Sequence, residues 1–321
     1  MKGQPMFTVL FTSIGRRVEL AQAFIDSYQK HHISARILGV DSNPLLAPAG
    51  HFVDAVFKIP RVNESGYLNA LLAICRREKV NLLIPLYEPE FLILDQQRDR
   101  FKQRGTILLL SPTATLKTCA DKLETSRFFN DYKINTPKTW PVKEQPVHDN
   151  FPLFIKPRSG MGSRGVCRVD SQTEMNYLTG RNLELIIQEY ISGTEYTLDG
   201  LADLNGKVIS IVPRERIEVR AGEVVKSRTV DRPDLIQQGK HIVEALGVIG
   251  PATLQCIDDG LMVYWIEVNP RFGGGVPLAI HAGADYPYLL FRMWNGEPLR
   301  PILGEYQKNL TMLRYEQSVY F

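Results

Sequence analysis

The sequence predicts an α/β domain followed by an antiparallel α+β region in two lobes. Over roughly the first 110 positions, short apolar runs alternate with helix-spaced residues, the pattern of βαβ units on a parallel sheet. From about residue 151 strands follow one another as hairpins, which favours antiparallel pairing. The 321 residues amount to about two domains. With 44% apolar and 23% charged residues, the chain can bury a core without disulfide or metal staples.

In the first region, residues 8–12 (TVLFT) read as a buried strand and 13–17 as the loop after it. Val18, Ala21, Phe24, Ile25 and Tyr28 keep helical spacing. A second apolar run, 37–40, stops at the turn signal Asp41-Ser-Asn-Pro44. Residues 67–77 are helical, 81–85 form a third strand, 91–104 a helix and 106–110 a fourth strand. Right-handed crossovers then give a Rossmann-like parallel sheet. Residues 111–129 read as a linker entering a helix, and 135–150 are rich in proline and polar side chains. Further strands are expected at 153–156, 165–169, 185–189, 196–201, 208–212, 215–219 and 224–230, then a helix at 234–246. A hairpin joins 252–257 to 262–268, and a last helix runs over 277–294.

Lysine and arginine number 38 against 35 acids, a net charge of +3 that is too small to imply a nucleic-acid or membrane-surface partner. The four cysteines, Cys75, Cys119, Cys167 and Cys256, are scattered, with no C-x-x-C and no histidine at ligand spacing. They read as buried thiols of a reducing compartment. The start lacks a signal-peptide core, and no run of about 18 apolar residues occurs. A cytoplasmic protein is expected.

Gly160-Met-Gly-Ser-Arg-Gly165 matches G-x-G-x-x-G, but it leads into strand-like residues rather than opening a helix. The dinucleotide reading therefore fails on context, and no Walker A pattern occurs. What remains is a glycine-rich loop between two strands, with Lys156 ending the first strand and Arg164 inside the loop. Its backbone N–H groups could approach phosphate oxygens, or it is a plain hairpin tip. In the later hairpin Glu267 and Asn269 share a face by alternation, and Gln255 lies opposite if the turn centres on residues 259–261. One carboxylate and two amides supply only oxygen ligands, the set that suits Mg²⁺ shared with phosphates; a wet polar face is the alternative. Arg271 keeps the same parity and could meet a transferring phosphoryl group. Ile187-Gln-Glu-Tyr-Ile-Ser-Gly-Thr-Glu195 reads as strand, turn, strand. Its Gln188 side chain and backbone could meet a purine edge, and Glu195 could accept from ribose hydroxyls.

Taken in order, Asp121-Lys122 at a helix start, Phe154-Ile-Lys156-Pro with its glycine loop, QEYISGTE, and Gln255 followed by Glu267-Val-Asn269-Pro-Arg271 resemble the ATP-grasp superfamily over about residues 111–294. The resemblance implies a Rossmann-like pre-ATP-grasp domain (1–112), then a two-lobed ATP-grasp fold. The small lobe (113–186) would carry the glycine loop and the large lobe (187–321) the metal and substrate site. Lys122 and Lys156 would hold ATP phosphates under the loop of Ser159, Gly160, Gly162, Ser163 and Gly165. Gln188 with Glu189, Tyr190 and Ile191 would read adenine, and Glu195 the ribose. Gln255, Glu267 and Asn269 would bind two Mg²⁺, with Glu267 bridging, and Arg271 would stabilise the phosphoryl group in flight. The reaction implied is conversion of a carboxylate to an acyl phosphate that an amine displaces. Within the superfamily the chain looks like one synthetase half of the carbamoyl phosphate synthase large chain. Lys122 stands where those enzymes carry arginine, and Phe272-Gly-Gly-Gly275 where they carry a serine-rich turn. Both features suit a stand-alone carboxylate–amine ligase.

Substrate residues are expected around that ligase centre. Gly273 to Gly275 precede a helix and could offer N–H groups to an anionic oxygen; His281 on that helix faces either the site or the core. Arg214, Arg216 and Arg220 fall on one strand face opposite Ile217 and Val219, a set suited to carboxylate or phosphate. Arg214 and Arg216 join Lys156 and Arg271 as the catalytic candidates. The Ser13-Ile-Gly15-Arg16-Arg17 loop could hold part of the acceptor, Asp41 invites a ribose, and Glu88 in Tyr87-Glu-Pro-Glu90 could face the same cleft. The expectation is a ligase using ATP and Mg²⁺ on small-molecule carboxylate and amine substrates, with no nucleic-acid or membrane partner and a homodimer among the assemblies open to it. Its rivals are a carbamoyl-phosphate-type phosphotransferase acting on bicarbonate or carbamate, and a nucleotide sensor without turnover.

Overall fold

The computed structural model describes residues 6–144, 151–160, 165–180 and 184–321; the expected loop residues Gly162, Ser163 and Arg164 lie outside them. The N-terminal sheet is parallel and five-stranded: β1 (Phe7–Phe11), β2 (Ala35–Asp41), β3 (Ala55–Lys58), β4 (Leu82–Ile84) and β5 (Ile107–Leu108), in the order β3-β2-β1-β4-β5. Its middle strand β1 is buried at all five positions, which is why it reads as an unbroken apolar run. Strand β3 lies at an edge with no fully buried residue, so it left no such run. The chain turns from β2 on one side of β1 to β4 on the other. The loops after β1 and β4 therefore open together at the carboxyl edge, the usual ligand-binding place in such sheets.

Helices α1 (Val18–Lys30) and α2 (Tyr67–Arg77) match the periodicity. The helix expected at 91–104 is instead two short ones, α3 (Phe91–Asp95) and α4 (Arg98–Lys102). The expected linker is itself helical, as α5 (Thr113–Ala120), and leads into the expected helix, α6 (Lys122–Asp131).

A second, antiparallel sheet holds β6 (Thr139–Pro141), β7 (Leu153–Pro157), β8 (Cys167–Val169) and β9 (Leu185–Glu189), ordered β6-β9-β7-β8, with α7 (Gln172–Thr179) beside it. The third sheet is antiparallel and six-stranded. It contains β10 (Thr194–Ala202), β11 (Val208–Arg220), β12 (Glu223–Thr229), β13 (Gly250–Asp258), β14 (Val263–Asn269) and β15 (Thr311–Leu313), ordered β14-β13-β10-β11-β12-β15. Helix α8 (Pro233–Ala245) packs on it, tied by Trp265 Nε1 donating to Gln238 Oε1 at 3.0 Å. The two strands expected at 208–212 and 215–219 are one 13-residue strand. Pro213 does not break it: pairing with β12 begins one residue later, and its carbonyl accepts from the Val230 N–H at 3.1 Å. The single helix expected at 277–294 is α9 (Val276–His281) and α10 (Tyr286–Trp294). Gly283 lies between them at φ +110°, a backbone region that stops a helix, and the Asp285 carboxylate caps α10 by accepting from the Tyr288 N–H.

One apolar core joins the first and third sheets. Phe7 packs on Trp294 at 4.7 Å between ring centres and Phe24 meets Phe272 edge-on at 5.9 Å. The second sheet has its own small core of Leu153, Ile155, Val169, Met175 and Ile187. Among the described residues no helix is long and apolar enough to cross a membrane. Cys75 and Cys256 are buried and Cys119 partly so, whereas Cys167 on the edge strand β8 is exposed, against expectation.

Candidate active site

Strand pairing sets Gln255 directly opposite Glu267 and Thr253 opposite Asn269. A bulge follows, so that Cys256 faces Trp265 and Ile266 is the extra residue. The turn is closed by Asp259, whose carboxylate accepts from the N–H groups of Leu261 and Met262 at 2.8 and 2.7 Å. Asn269 donates from Nδ2 to Glu267 Oε1 at 2.9 Å, which leaves its carbonyl oxygen unspent. Among the described residues no three His, Cys, Asp or Glu side chains gather as a metal cage. One carboxylate and two amides are instead the donor set for a hard cation that takes its other ligands from phosphates and water. The residues fit Mg²⁺ on those terms.

Lys156 is the penultimate residue of β7 and is buried. Its ammonium donates to Gln188 Oε1 at 2.7 Å, and Gln188 Nε2 donates to Thr139 Oγ1 at 2.8 Å. The Gln188 side chain, expected at a base edge, is thus spent on holding the lysine. Burial pushes Lys156 down to about 8, while the Glu267 carboxylate acts the other way and Lys122 adds to the fall.

Asp121 caps α6, accepting from the N–H groups of Leu123 and Glu124, so Lys122 stands in the first turn. The Lys122 ammonium donates to the Gly160 carbonyl at 2.9 Å, and its own N–H to the Arg158 carbonyl at 2.9 Å. Arg158 in turn grips Asp121 at 2.7 Å. That pair fastens the helix start to the glycine loop, and sequence reasoning missed it. Gly160 takes φ +118°, and Ser159 beside it is exposed. Gly165 leads two residues later into β8, a strand rather than a helix.

Beyond Gln188, Tyr190 packs on Phe154 at 5.1 Å, and the Glu189 N–H donates to the Lys138 carbonyl at 2.9 Å. Ile191 is half-buried at the crossing to the third sheet. Glu195 pairs with Arg216 at 2.8 Å and stays 45% exposed.

Arg271 follows the hairpin, its backbone held by Thr253 Oγ1 donating to the Arg271 carbonyl at 3.1 Å. Its guanidinium pairs with Glu88 at 2.7 Å across 183 residues of chain. The three glycines after Phe272 have a packing reason. An added Cβ would meet Thr253 Oγ1 at 2.7 Å from Gly273, Glu223 Oε2 at 2.4 Å from Gly274 and the Arg214 guanidinium carbon at 2.6 Å from Gly275. Three side chains of the third sheet pass directly beneath this turn.

The three strand arginines do not act as one set. Arg214 is buried and donates from Nε to Asp199 Oδ2 at 2.7 Å. Arg216 goes to Glu195, and Arg220 is 76% exposed. A register shift between Arg216 and Glu218 sets Arg220 apart from the other two. Asp41 accepts from the N–H groups of Gly15 at 3.2 Å and Asn43 at 2.9 Å, so its carboxylate serves the loop rather than a ribose. His281 is exposed and so does not face the core.

Sequence reasoning also missed Glu90 as a buried carboxyl. It accepts from Thr12 Oγ1, Tyr67 OH and the Tyr87 N–H, and burial raises it to about 7. It lies two residues from Glu88 and anchors that loop from below.

Residues 9–109 match the family model described as the PylC-like, N-terminal domain, and residues 119–275 that of the ATP-grasp domain. The chain carries an ATP-grasp domain behind a PylC-like one. More particularly, its sequence is similar to the carbamoyl phosphate synthase large chain of Clostridium acetobutylicum, at 25% identity over 237 residues, covering 67% of this chain and 22% of the relative. The chain thus spans under a quarter of that curated relative. N5-carboxyaminoimidazole synthetase from Staphylococcus aureus, solved with ADP, shares the fold at TM-score 0.76 and 17% identity, over 97% of this chain and 83% of its own. Biotin carboxylase from Campylobacter jejuni does so at 0.72 and 15%, over 95% and 74%.

Proposed function

We propose that the chain is a Mg²⁺-ATP-dependent ligase that activates a small carboxylate as an acyl phosphate and passes the acyl group to an amine. The observation that carries this reading is the hairpin register that sets Gln255 directly opposite Glu267, with Asn269 on the same strand and Arg271 and the glycine turn just beyond.

In this reading Lys122 and Lys156 hold the triphosphate under the loop of residues 159–165, and Gln188 fixes Lys156. The backbone of Glu189, Tyr190 and Ile191 meets the base, and Glu195 the ribose. Gln255, Glu267 and Asn269 would hold two Mg²⁺, which would neutralise phosphate oxygens. A carboxylate oxygen of the substrate attacks the γ-phosphorus, the bond to the bridging oxygen breaks and ADP leaves. The amine nitrogen then adds to the acyl carbon and loses a proton, and phosphate departs. Arg271, released from Glu88, meets charge on the phosphoryl group in flight. One such donor is typically worth about 3–4 kcal/mol of barrier. Arg214 supports the glycine turn from beneath, and Arg216 orients Glu195.

The test is ADP release with pooled carboxylic acids, with and without pooled amines. Amine-dependent release supports the ligase. Release without any amine favours a phosphotransferase on bicarbonate or carbamate, the reading closer to the carbamoyl phosphate synthase likeness. ATP binding without turnover favours a sensor.

A further inference from the structure

Beside Gly274 of the glycine turn two opposite charges approach one point without pairing. Arg17 comes from the loop before α1, and its NH1 lies 3.5 Å from where a Gly274 Cβ would stand. Glu223 comes from the start of β12, its Oε2 2.4 Å from the same point. Yet no salt bridge joins them, and among the described residues Arg17 has neither an ion pair nor a side-chain hydrogen bond. The surroundings do not favour its charge. Burial, and then the neighbouring Arg271, pull Arg17 down to about 10, with Glu223 and Glu88 only partly offsetting them. An unpaired, half-buried guanidinium beside a second one is costly until an anion arrives.

Arg314 shows what a satisfied arginine in this place looks like. It donates to the Gly274 carbonyl, to Glu19 Oε2 at 3.0 and 2.7 Å and to the Val224 carbonyl at 3.3 Å. It straps the glycine turn, α1 and β12 together and has little left for a ligand. Its hold on Glu223 is loose, at 3.5 Å, and that carboxylate stays 65% exposed.

We propose that Arg17 and Glu223 are the two poles of a receptor for the acceptor substrate, which is therefore an amphoteric amine: Arg17 takes its anionic oxygen group, a carboxylate or a phosphate, and Glu223 its amino group. This rests on the ligase reading and specifies the acceptor that reading leaves open. The absence of a side chain at Gly274 keeps the space between the poles clear.

The experiment measures ADP release with three amine pools at fixed ATP, Mg²⁺ and carboxylate: α-amino acids, aminoalkyl phosphates, and the plain alkylamines that lack the anionic group. One of the first two pools should drive turnover and the third should not, and which one does so identifies the anion. R17Q should raise KM for the active pool by about 10- to 100-fold, with a much smaller change in kcat. E223Q and G274A, which keep Arg17, should raise it as well. Equal use of plain alkylamines, or an unchanged KM in R17Q and E223Q, would overturn the receptor and leave the ligase standing. If no amine drives turnover, the ligase reading fails. Saturation-transfer NMR with the amino-acid and aminoalkyl-phosphate pools then tests the receptor by itself. Binding that R17Q abolishes supports it; no binding, or binding that R17Q leaves intact, overturns it.

Discussion

Lys156 on β7 and Lys122 at the start of α6 are left with neutral partners, whereas Arg271, just after β14, carries a full counter-charge. Lys156 gives its ammonium to an amide oxygen and Lys122 to a backbone carbonyl; Arg271 is held by the Glu88 carboxylate at 2.7 Å. An arriving triphosphate displaces only dipoles at the two lysines. At the arginine it must compete with a carboxylate supplied by the N-terminal domain. The nucleotide end of the cleft is ready-made, while the reacting end is latched. Binding and reaction are thus governed by different electrostatic exchanges.

The largest effect is expected from E267A, which removes the only carboxylate of the metal face. ADP release should fall by about 10³-fold while the thermal midpoint stays near that of the wild type; a near-normal rate would break the assignment of this wall. The next concerns the platform beneath the latch. Glu90 is raised by burial to about 7 from an ordinary value near 4.5, so the folded state prefers its protonated form. Stability from this group is full below about pH 4.5 and is lost as pH rises through 7, a fall on the order of 3 kcal/mol. Denaturant titrations at pH 5 and pH 7.5 should show a drop that E90Q flattens.

K156A should weaken ATP binding by about 10- to 100-fold. Because burial holds Lys156 near 8, wild-type affinity should decline above that pH and binding there should take up a proton. Calorimetry in buffers of different ionisation enthalpy reads this uptake, which K156A should remove. The smallest effect tests the latch. E88Q should tighten binding of MgADP with beryllium fluoride by about 2- to 5-fold, the scale of a partly exposed ion pair. Weaker binding would mean that Glu88 orients Arg271 rather than withholding it.

Much of this arrangement was legible locally. The buried run of β1, the Asp121 cap and the pairing of Gln255 with Glu267 each follow from a few neighbouring residues and the period of a helix or strand. What stayed hidden depends on distant chain or on broken periodicity. The Glu88–Arg271 pair joins two domains, and the glycine turn makes sense only once Thr253, Glu223 and Arg214 are found beneath it. A register shift after Arg216 parted Arg220 from the two strand arginines with which alternation had aligned it. Gly283 split a helix whose apolar pattern continues on both sides. Gln188 looked free because its sequence does not show Lys156 turning inward toward it.

Calorimetric titration of ATP into the wild type and E267A, each with Mg²⁺ and with EDTA, tests the cation-seating wall most directly. Wild-type affinity should rise sharply with Mg²⁺ and that of E267A should not. Equal magnesium dependence in the two proteins would contradict the account.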